Sequence, residues 1–396
     1  MQTGSRLAVG VAVLLAGAAC RGWGAEDVKA QAFHPGAVWP DDRGVHINAH
    51  GGGILVHEGT FYWFGEHKVA GDAGNYAQVG VHVYSSTELY GWKDEGLALK
   101  VSDDPASDIA KGCVLERPKV IFNRATGKFV MWFHLELRGQ GYGAARSGVA
   151  VADRATGPYA FLGSFRPNAG AWPANVDDAL KRPLAPEEAA KLKSFPFSGG
   201  SAPDWGRSLV FRRDFAGGQM ARDMTLFVDD DGKAYHVYAS EENSTLQISQ
   251  LTDDYLKPAG RYVRVFPGAF NEAPALFKHG GKYWLITSGC SGWAPNAARL
   301  AVADSIWGPW TARGNPCAGV NPQNQLGPEK TFGGQSTFVL PVPGKAGAFV
   351  ALFDQWCPQN AIDGRYLWLP VQWRDGRPVI EWQSEWSLEV FRRPAQ

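Results

Sequence analysis

The sequence predicts an all-β fold, a five-bladed β-propeller, and three observations carry that expectation. The chain is 12% aromatic, with 16 Trp, 48 Gly and 25 Pro among its 396 residues. That is the composition of many short strands joined by tight turns. Five segments then repeat one pattern, a turn Gly followed by an aromatic-rich run. Each run is flanked by further strands in the same order. A β-sandwich, the alternative architecture, leaves that matched register unexplained.

In chain order the five central runs are Gly59-TFYWFGE, Gly127-KFVMWFH, Gly232-KAYHVYAS, Gly281-KYWLITS and Gly347-AFVALFD. Ahead of each lies a shorter apolar strand: 52–56, 118–122, 225–228, 274–277 and 336–341. Behind each comes a third, beginning at Gly80, Gly148, Thr245, Ala298 and Tyr366. Some third strands run into Gly-Pro turns, TGPY at 156–159 and WGPW at 307–310. A fourth, outer strand is less distinct. Small sheets arranged radially pack both faces on their neighbours and leave only short edges exposed. The propeller is expected over residues 33–392. Residues 166–222, rich in Pro and carrying one short helical run from Pro186, interrupt the repeat between blades two and three. They are expected to form part of a pocket rim.

Residues 1–25 read as an export signal. Arg6 precedes an apolar run from Leu7 to Ala19, too short for a bilayer and suited to a secretory leader. A secreted or periplasmic location is expected, and Cys20, after Gly17-Ala18-Ala19, offers a site for a lipid anchor. No later segment is long and apolar enough for a membrane span. Lys plus Arg and Asp plus Glu number 39 each, for zero net charge. That balance gives no electrostatic case for nucleic acid and suits a neutral polysaccharide or oligosaccharide. Of Cys113, Cys290, Cys317 and Cys357, the pair Cys290 and Cys317 falls in one repeat and is the expected disulfide. His46, His57, His67, His82 and His134 form no metal motif, and DDDG at 229–232 lacks the downstream Glu of a calcium loop. No metal ligand set and no cofactor are expected.

A polar residue stands immediately before each first strand: His50, Glu116, Asp223, Glu272 and Gln335. Their distances to the repeat Gly are 9, 11, 9, 9 and 12 residues. First strands line a propeller's axis, so these side chains are expected to converge at one mouth of the channel. Glycosidic cleavage needs a protonated acid at the leaving oxygen and a base or nucleophile on the other face. Glu272, with apolar residues beside it and Asp223 as its neighbouring charge, suits a raised pKa and the acid role.

The blade-start acids, Asn271-Glu272-Ala273-Pro274 and the Gly-Pro-Trp turn together resemble glycoside hydrolase family 43. Ala49-HGGGILVHEGTFYWFGEHK, Leu115-ERPKVIF, Ala221-RDMTLFVDDDGKAYHVY, Thr287-SGCSGWAPNAAR and Gly334-QSTFV resemble its exo-β-1,3-galactanase branch, over roughly residues 33–392. The resemblance implies a hydrolase that removes galactose from the non-reducing end of β-1,3-galactan, such as the backbone of arabinogalactan, with inversion. It implies Glu272 as general acid and Asp223 as the residue that tunes and orients it. Most members carry a base Asp at the start of blade one, where this chain has His50-Gly51-Gly52-Gly53. In the galactanase branch a Gln stands opposite the acid, and Gln335 fits that place. A neutral amide is a poor base, so Gln335 is expected to orient water, through a minor imidic tautomer, with Glu116 assisting. His50 is a second candidate, since imidazole titrates in the useful range.

Glu66, Tyr142, Glu242 and Asn243 are candidates for holding sugar hydroxyls, and Trp293 offers a flat face on which a galactose ring can stack. The resemblance also allows a structural Ca²⁺ or water in the central channel, as in some relatives. Two alternatives stay open at this point. One is another family 43 specificity, such as a β-galactosidase, β-xylosidase or α-L-arabinofuranosidase; the other is a carbohydrate-binding propeller that has lost catalysis.

Overall fold

A computed structural model describes residues 32–77, 79–193 and 210–392. The expected signal at 1–25, with Cys20, lies outside the described residues. Blade one holds β1 (His50–His57), β2 (Thr60–His67), β3 (Gly80–Ser86) and β4 (Lys93–Lys100). Blade two holds β5 (Val114–Asn123), β6 (Lys128–Glu136), β7 (Arg146–Ala152) and β8 (Ala160–Phe165). Blade three holds β9 (Met224–Val228), β10 (Ala234–Ser240), β11 (Thr245–Leu251) and β12 (Pro258–Val265). Blade four holds β13 (Asn271–His279), β14 (Lys282–Gly289), β15 (Arg299–Ala303) and β16 (Thr311–Gly314). Each is an antiparallel sheet in sequential order. Blade five has five strands: β18 (Gln335–Pro341), β19 (Phe349–Gln355), β20 (Arg365–Arg374), β21 (Arg377–Glu381) and, parallel to β21, the short β17 (Cys317–Ala318). The fold is the five-bladed β-propeller expected from the repeats, and the indistinct fourth strand is present in every blade.

Period-two alternation explains the ring. Along β6, Phe129, Met131 and Phe133 pack toward blade one while Val130 and Trp132 pack toward blade three. Along β19, Phe349, Ala351 and Phe353 face blade four while Val350 and Leu352 face blade one. A strand buried on both faces must be apolar at consecutive positions, which is why the central runs read as unbroken hydrophobic stretches. Five apolar clusters result, one in each gap between neighbouring blades. The inner strands β1, β5, β9, β13 and β18 touch in a closed circle.

Closure between blades five and one uses aromatic packing. Phe33 pairs with Trp386 through both backbone amides, at 2.7 and 3.1 Å, and stacks on its ring at 4.3 Å. Trp63, Trp92 and Trp368 fill the layer beneath, all buried.

Of the rim expected from segment 166–222, the described residues supply Arg222. The segment lies between β8 and β9, with the short helix α1 (Pro186–Lys193) inside it. Its described residues follow the outer strands of blade three: Ala174 N donates to Tyr262 O at 2.7 Å, and Asn175 Nδ2 to Arg264 O at 2.8 Å. The cysteine expectation is corrected. All four described cysteines are free. Cys317 belongs to the outer strand of blade five, whereas Cys290 follows β14 in blade four, so the presumed shared repeat does not exist.

Candidate active site

The pocket, about 280 Å³, opens where the inner strands begin. That is just below the roughly 300–1,000 Å³ typical of ligand sites. Glu116, Asp223, Glu272 and Gln335 converge on it from blades two to five, as their matched spacing predicts. The backbone shows how. Register shifts follow Glu116 in β5 and Glu272 in β13, and the next residues, Arg117 and Ala273, take left-handed φ of 55° and 53°. Each bulge turns one polar side chain out of the sheet and into the channel mouth, with backbone strain of the sort functional sites retain.

Blade one behaves differently, and this corrects the assignment of His50. His50 is 1% exposed, stacks on Tyr366 at 5.3 Å and does not line the pocket. Burial, with Lys68 adding repulsion, pushes its pKa well below the ordinary value. It is therefore a neutral packed ring, not the base. Glu66, at the end of β2, takes blade one's place in the pocket. A side chain on Gly51 (φ 62°) would collide with the Glu66 carboxylate, so this Gly makes room for it.

Glu272 is the pocket carboxyl that is held protonated. Burial and then the charge of Asp223 push its pKa up to about 8 against the pull of Arg117, so it holds its proton near neutrality. Its Oε1 accepts from Gln335 Nε2 at 3.2 Å and its Oε2 from Asn243 Nδ2 at 3.5 Å. Asp223 Oδ2 pairs with Arg117 Nη2 at 2.9 Å and accepts the Ala273 amide at 3.0 Å. It is thereby tied to the backbone of the residue that follows the acid.

Gln335 is fixed at all four positions. Nε2 donates to Glu272 and, at 2.9 Å, to Ser288 Oγ. Oε1 accepts from Arg117 Nη2 at 2.6 Å and Trp356 Nε1 at 3.1 Å. Both neighbours of Oε1 are obligate donors, so an imidic O–H has no acceptor there; the amide tautomer is the one that fits.

Glu116 is the ionised carboxylate. Burial alone would raise its pKa, but His134, Tyr142 and Lys68 outweigh it and hold it at about 2. Its Oε1 accepts from the Tyr142 hydroxyl at 2.7 Å and from Asn75; its Oε2 lies 2.8 Å from His134 Nδ1. Glu66, its pKa raised by burial, pairs with Lys68 at 3.1 Å and accepts the Arg117 amide at 3.0 Å.

Tyr142 and Asn243 line the wall as expected, and Trp293, 46% exposed, stands on the rim edge-to-face with Trp356 at 5.8 Å. Glu242 does not line the pocket, which corrects its sugar-binding assignment. It is buried between Arg213 at 2.8 Å and Arg222 at 3.1 Å, and so holds Arg222 in place of a hydroxyl. Sequence reasoning missed Arg117, Arg222, His134, Asn75 and Trp356. Arg117 and Arg222 each adjoin an expected acid in the chain, which was the available signal.

The residues present do not suit a metal. Among the described residues, ligand atoms of Glu116, His134 and Asp223 lie within 4.8 Å of one another. Both His134 nitrogens are engaged by carboxylates, and the Arg117 guanidinium already answers Asp223. Beside this group the buried Lys119 amine donates to Gly51 O at 2.8 Å, its pKa pushed down to about 7 by burial.

The model of glycosyl hydrolases family 43 matches residues 210–378. A solved family 43 β-1,3-galactosidase, in complex with galactodeoxynojirimycin, is 53% identical, with a TM-score of 0.83. The alignment covers 90% of this chain and 100% of that one. The chain belongs to glycoside hydrolase family 43. This family 43 chain is also similar to the exo-β-1,3-galactanase of Phanerochaete chrysosporium solved with β-1,3-galactotriose. Identity there is 32%, over 90% of this chain and 68% of that one, with a TM-score of 0.70. Similarity to the exo-β-1,3-galactanase of Clostridium thermocellum is 30%, over 90% and 66%, with a TM-score of 0.69. A β-D-galactofuranosidase of Aspergillus niger is 28% identical over 97 residues, 24% of the family 43 chain and 28% of that relative's length.

Proposed function

We propose that this family 43 hydrolase is an exo-β-1,3-galactanase, releasing galactose from the non-reducing end of β-1,3-galactan with inversion. The observation that carries the reading is a protonated acid, Glu272, beside an Arg-paired Asp223 in a pocket sized for one sugar ring. Relatives solved with a galactose-like inhibitor and with β-1,3-galactotriose support the sugar and the linkage.

In this reading Glu272 gives its proton to the departing glycosidic oxygen. Water attacks the anomeric carbon from the other face, oriented by Gln335, and its proton passes to the ionised Glu116. Asp223 keeps the acid's pKa high and its backbone fixed. Arg117 holds Asp223 and Gln335 in one arrangement. Trp293 stacks on the sugar at the rim. The galactan backbone of arabinogalactan is the natural polymer of this chemistry, and the apolar run at 7–19 supports export to where such polymers lie.

The test is a substrate panel: β-1,3-galactan, β-1,3-galactobiose, and the aryl glycosides of β-galactopyranose, β-xylose and α-L-arabinofuranose. Free galactose as the single product from the first two is expected. Faster release of xylose or arabinose would overturn the sugar assignment. Galactose binding without turnover of any substrate would favour a binding protein.

A further inference from the structure

Behind Glu116 stands a buried group that no step of this reaction uses. His134 and Glu136 share the inner end of β6 and are both buried, at 1% and 0% exposure. His134 Nδ1 lies 2.8 Å from Glu116 Oε2, off the ideal N–H direction, and Nε2 is 2.9 Å from Glu136 Oε1. Glu136 Oε2 accepts the Ala145 amide at 2.8 Å, and Arg222 Nε lies 3.8 Å from its Oε1. One imidazole is thus clamped between two carboxylates, the outer of which faces the pocket.

We propose that His134 and Glu136 are positioning residues that keep Glu116 ionised and aimed into the pocket, His134 acting as a fixed imidazolium between the two carboxylates. The inference rests on the reading of Glu116 as the group that takes the water's proton. A neutral imidazole donates from only one nitrogen and would leave one of two buried carboxylates without a proton from it; the doubly protonated ring serves both. Burial pushes His134 down, but Glu116 and Glu136 outweigh it and raise it to about 9. The other charged or titratable groups facing this set are Lys68, Glu66, Arg117, Asp223 and Glu272 around the pocket, Tyr142 above the ring, and Arg222 beyond Glu136. Of these, Tyr142 and Lys68 also hold Glu116 down, so removing the imidazolium leaves a smaller counterweight to burial.

The experiment is the pH profile of kcat/KM for wild type, His134→Gln, Glu136→Gln and Glu116→Gln on β-1,3-galactobiose. Loss of the imidazolium raises the Glu116 pKa, so the acidic limb moves upward. In His134→Gln, kcat/KM at pH 4 is expected to fall about tenfold or more against its own value at pH 7, with a smaller shift of the same sign in Glu136→Gln. A uniform loss across pH would mean a merely structural role and overturns the proposal. Because a buried partner is being removed, the wild-type ring is read directly as well. Its ¹⁵N shifts should show both nitrogens of His134 protonated at pH 7.5, and a neutral ring would overturn the proposal even if the variants fail to fold. Full activity in Glu116→Gln would refute the base reading itself. An inactive Glu116→Gln alongside an unmoved limb in His134→Gln would refute only the positioning role of His134.

Discussion

Gln335 Nε2 stands 3.2 Å from Glu272 Oε1, so the amide touches the acid directly. Inverting glycosidases keep the two working groups roughly 6.5–9.5 Å apart to admit water. At that contact distance Glu272 and Gln335 alone do not make the inverting pair. In the proposed mechanism Glu116, ionised and held from behind by His134, is the second carboxylate. The two roles of Gln335, holding the acid and orienting water, can be separated. Gln335→Ala is expected to lower kcat by about 10² while leaving the alkaline limb of the pH profile near its wild-type position. A shifted limb with a small loss in kcat would assign Gln335 to tuning the acid alone.

Glu272→Gln should remove the proton donor while keeping the shape of the site. The expected loss in kcat is about 10²–10⁴ on substrates with poor leaving groups. The alkaline limb, expected near pH 8 because the acid's pKa is pushed up to about 8, should vanish with it. Steady-state kinetics from pH 5 to 9 checks both.

The same residue links activity to stability. Its native value of about 8 exceeds the ordinary 4.5, so between these limits the native state holds a proton that the unfolded chain releases. Stability from this group is present at low pH and is lost as pH rises through about 8. Glu272→Gln should therefore be the more stable protein at pH 9, by an amount on the order of a few kcal/mol, with the advantage shrinking toward pH 5. Denaturant melts at both pH values test the sign.

Arg117 binds Asp223, Gln335 and, through its backbone amide, Glu66. Arg117→Met leaves Asp223 without its ion-pair partner, a loss of about 3–5 kcal/mol if the charge stays buried. It also removes the one cation that lowers the Glu272 pKa most, so any remaining activity should persist to higher pH. A folded variant with an unchanged profile would contradict this account of the pocket floor.

Trp293 is exposed and rests against Trp356. Trp293→Ala should raise KM severalfold, in keeping with roughly 0.5–1.5 kcal/mol for an aromatic face, and alter kcat little. A loss confined to kcat would place Trp293 in the chemistry instead of the rim.

Most of the fold was legible because a propeller writes itself five times. The turn Gly, the unbroken apolar second strand and the polar blade-start residue recur at nearly constant spacing. Four of the five blade-start residues meet in the pocket for that reason. His50 misled because position in the repeat does not report the direction of a side chain. At Gly51 the backbone takes φ 62°, and Glu66 from the next strand fills the vacated place. A second recurring feature was written in the sequence and went unread. Second strands end in or near acids in four blades, Glu66, Glu136, Glu241 and Asp354: Glu66 enters the pocket, Glu136 backs His134 behind Glu116, Asp354 accepts the Gly51 amide, and Glu241 pairs with Arg264 on the outer strand β12. Glu242 failed as a sugar ligand because Arg213 comes from the insertion 166–222, whose path no local pattern predicts.

Inversion driven by the Glu272 acid is tested at its root by following β-1,3-galactan hydrolysis with proton NMR from the first turnovers, wild type and Glu272→Gln side by side. Galactose should appear first as the α-anomer from wild type, and several orders more slowly from the variant. Galactose appearing first as the β-anomer, larger oligosaccharides as the initial product, or undiminished release by Glu272→Gln would contradict it.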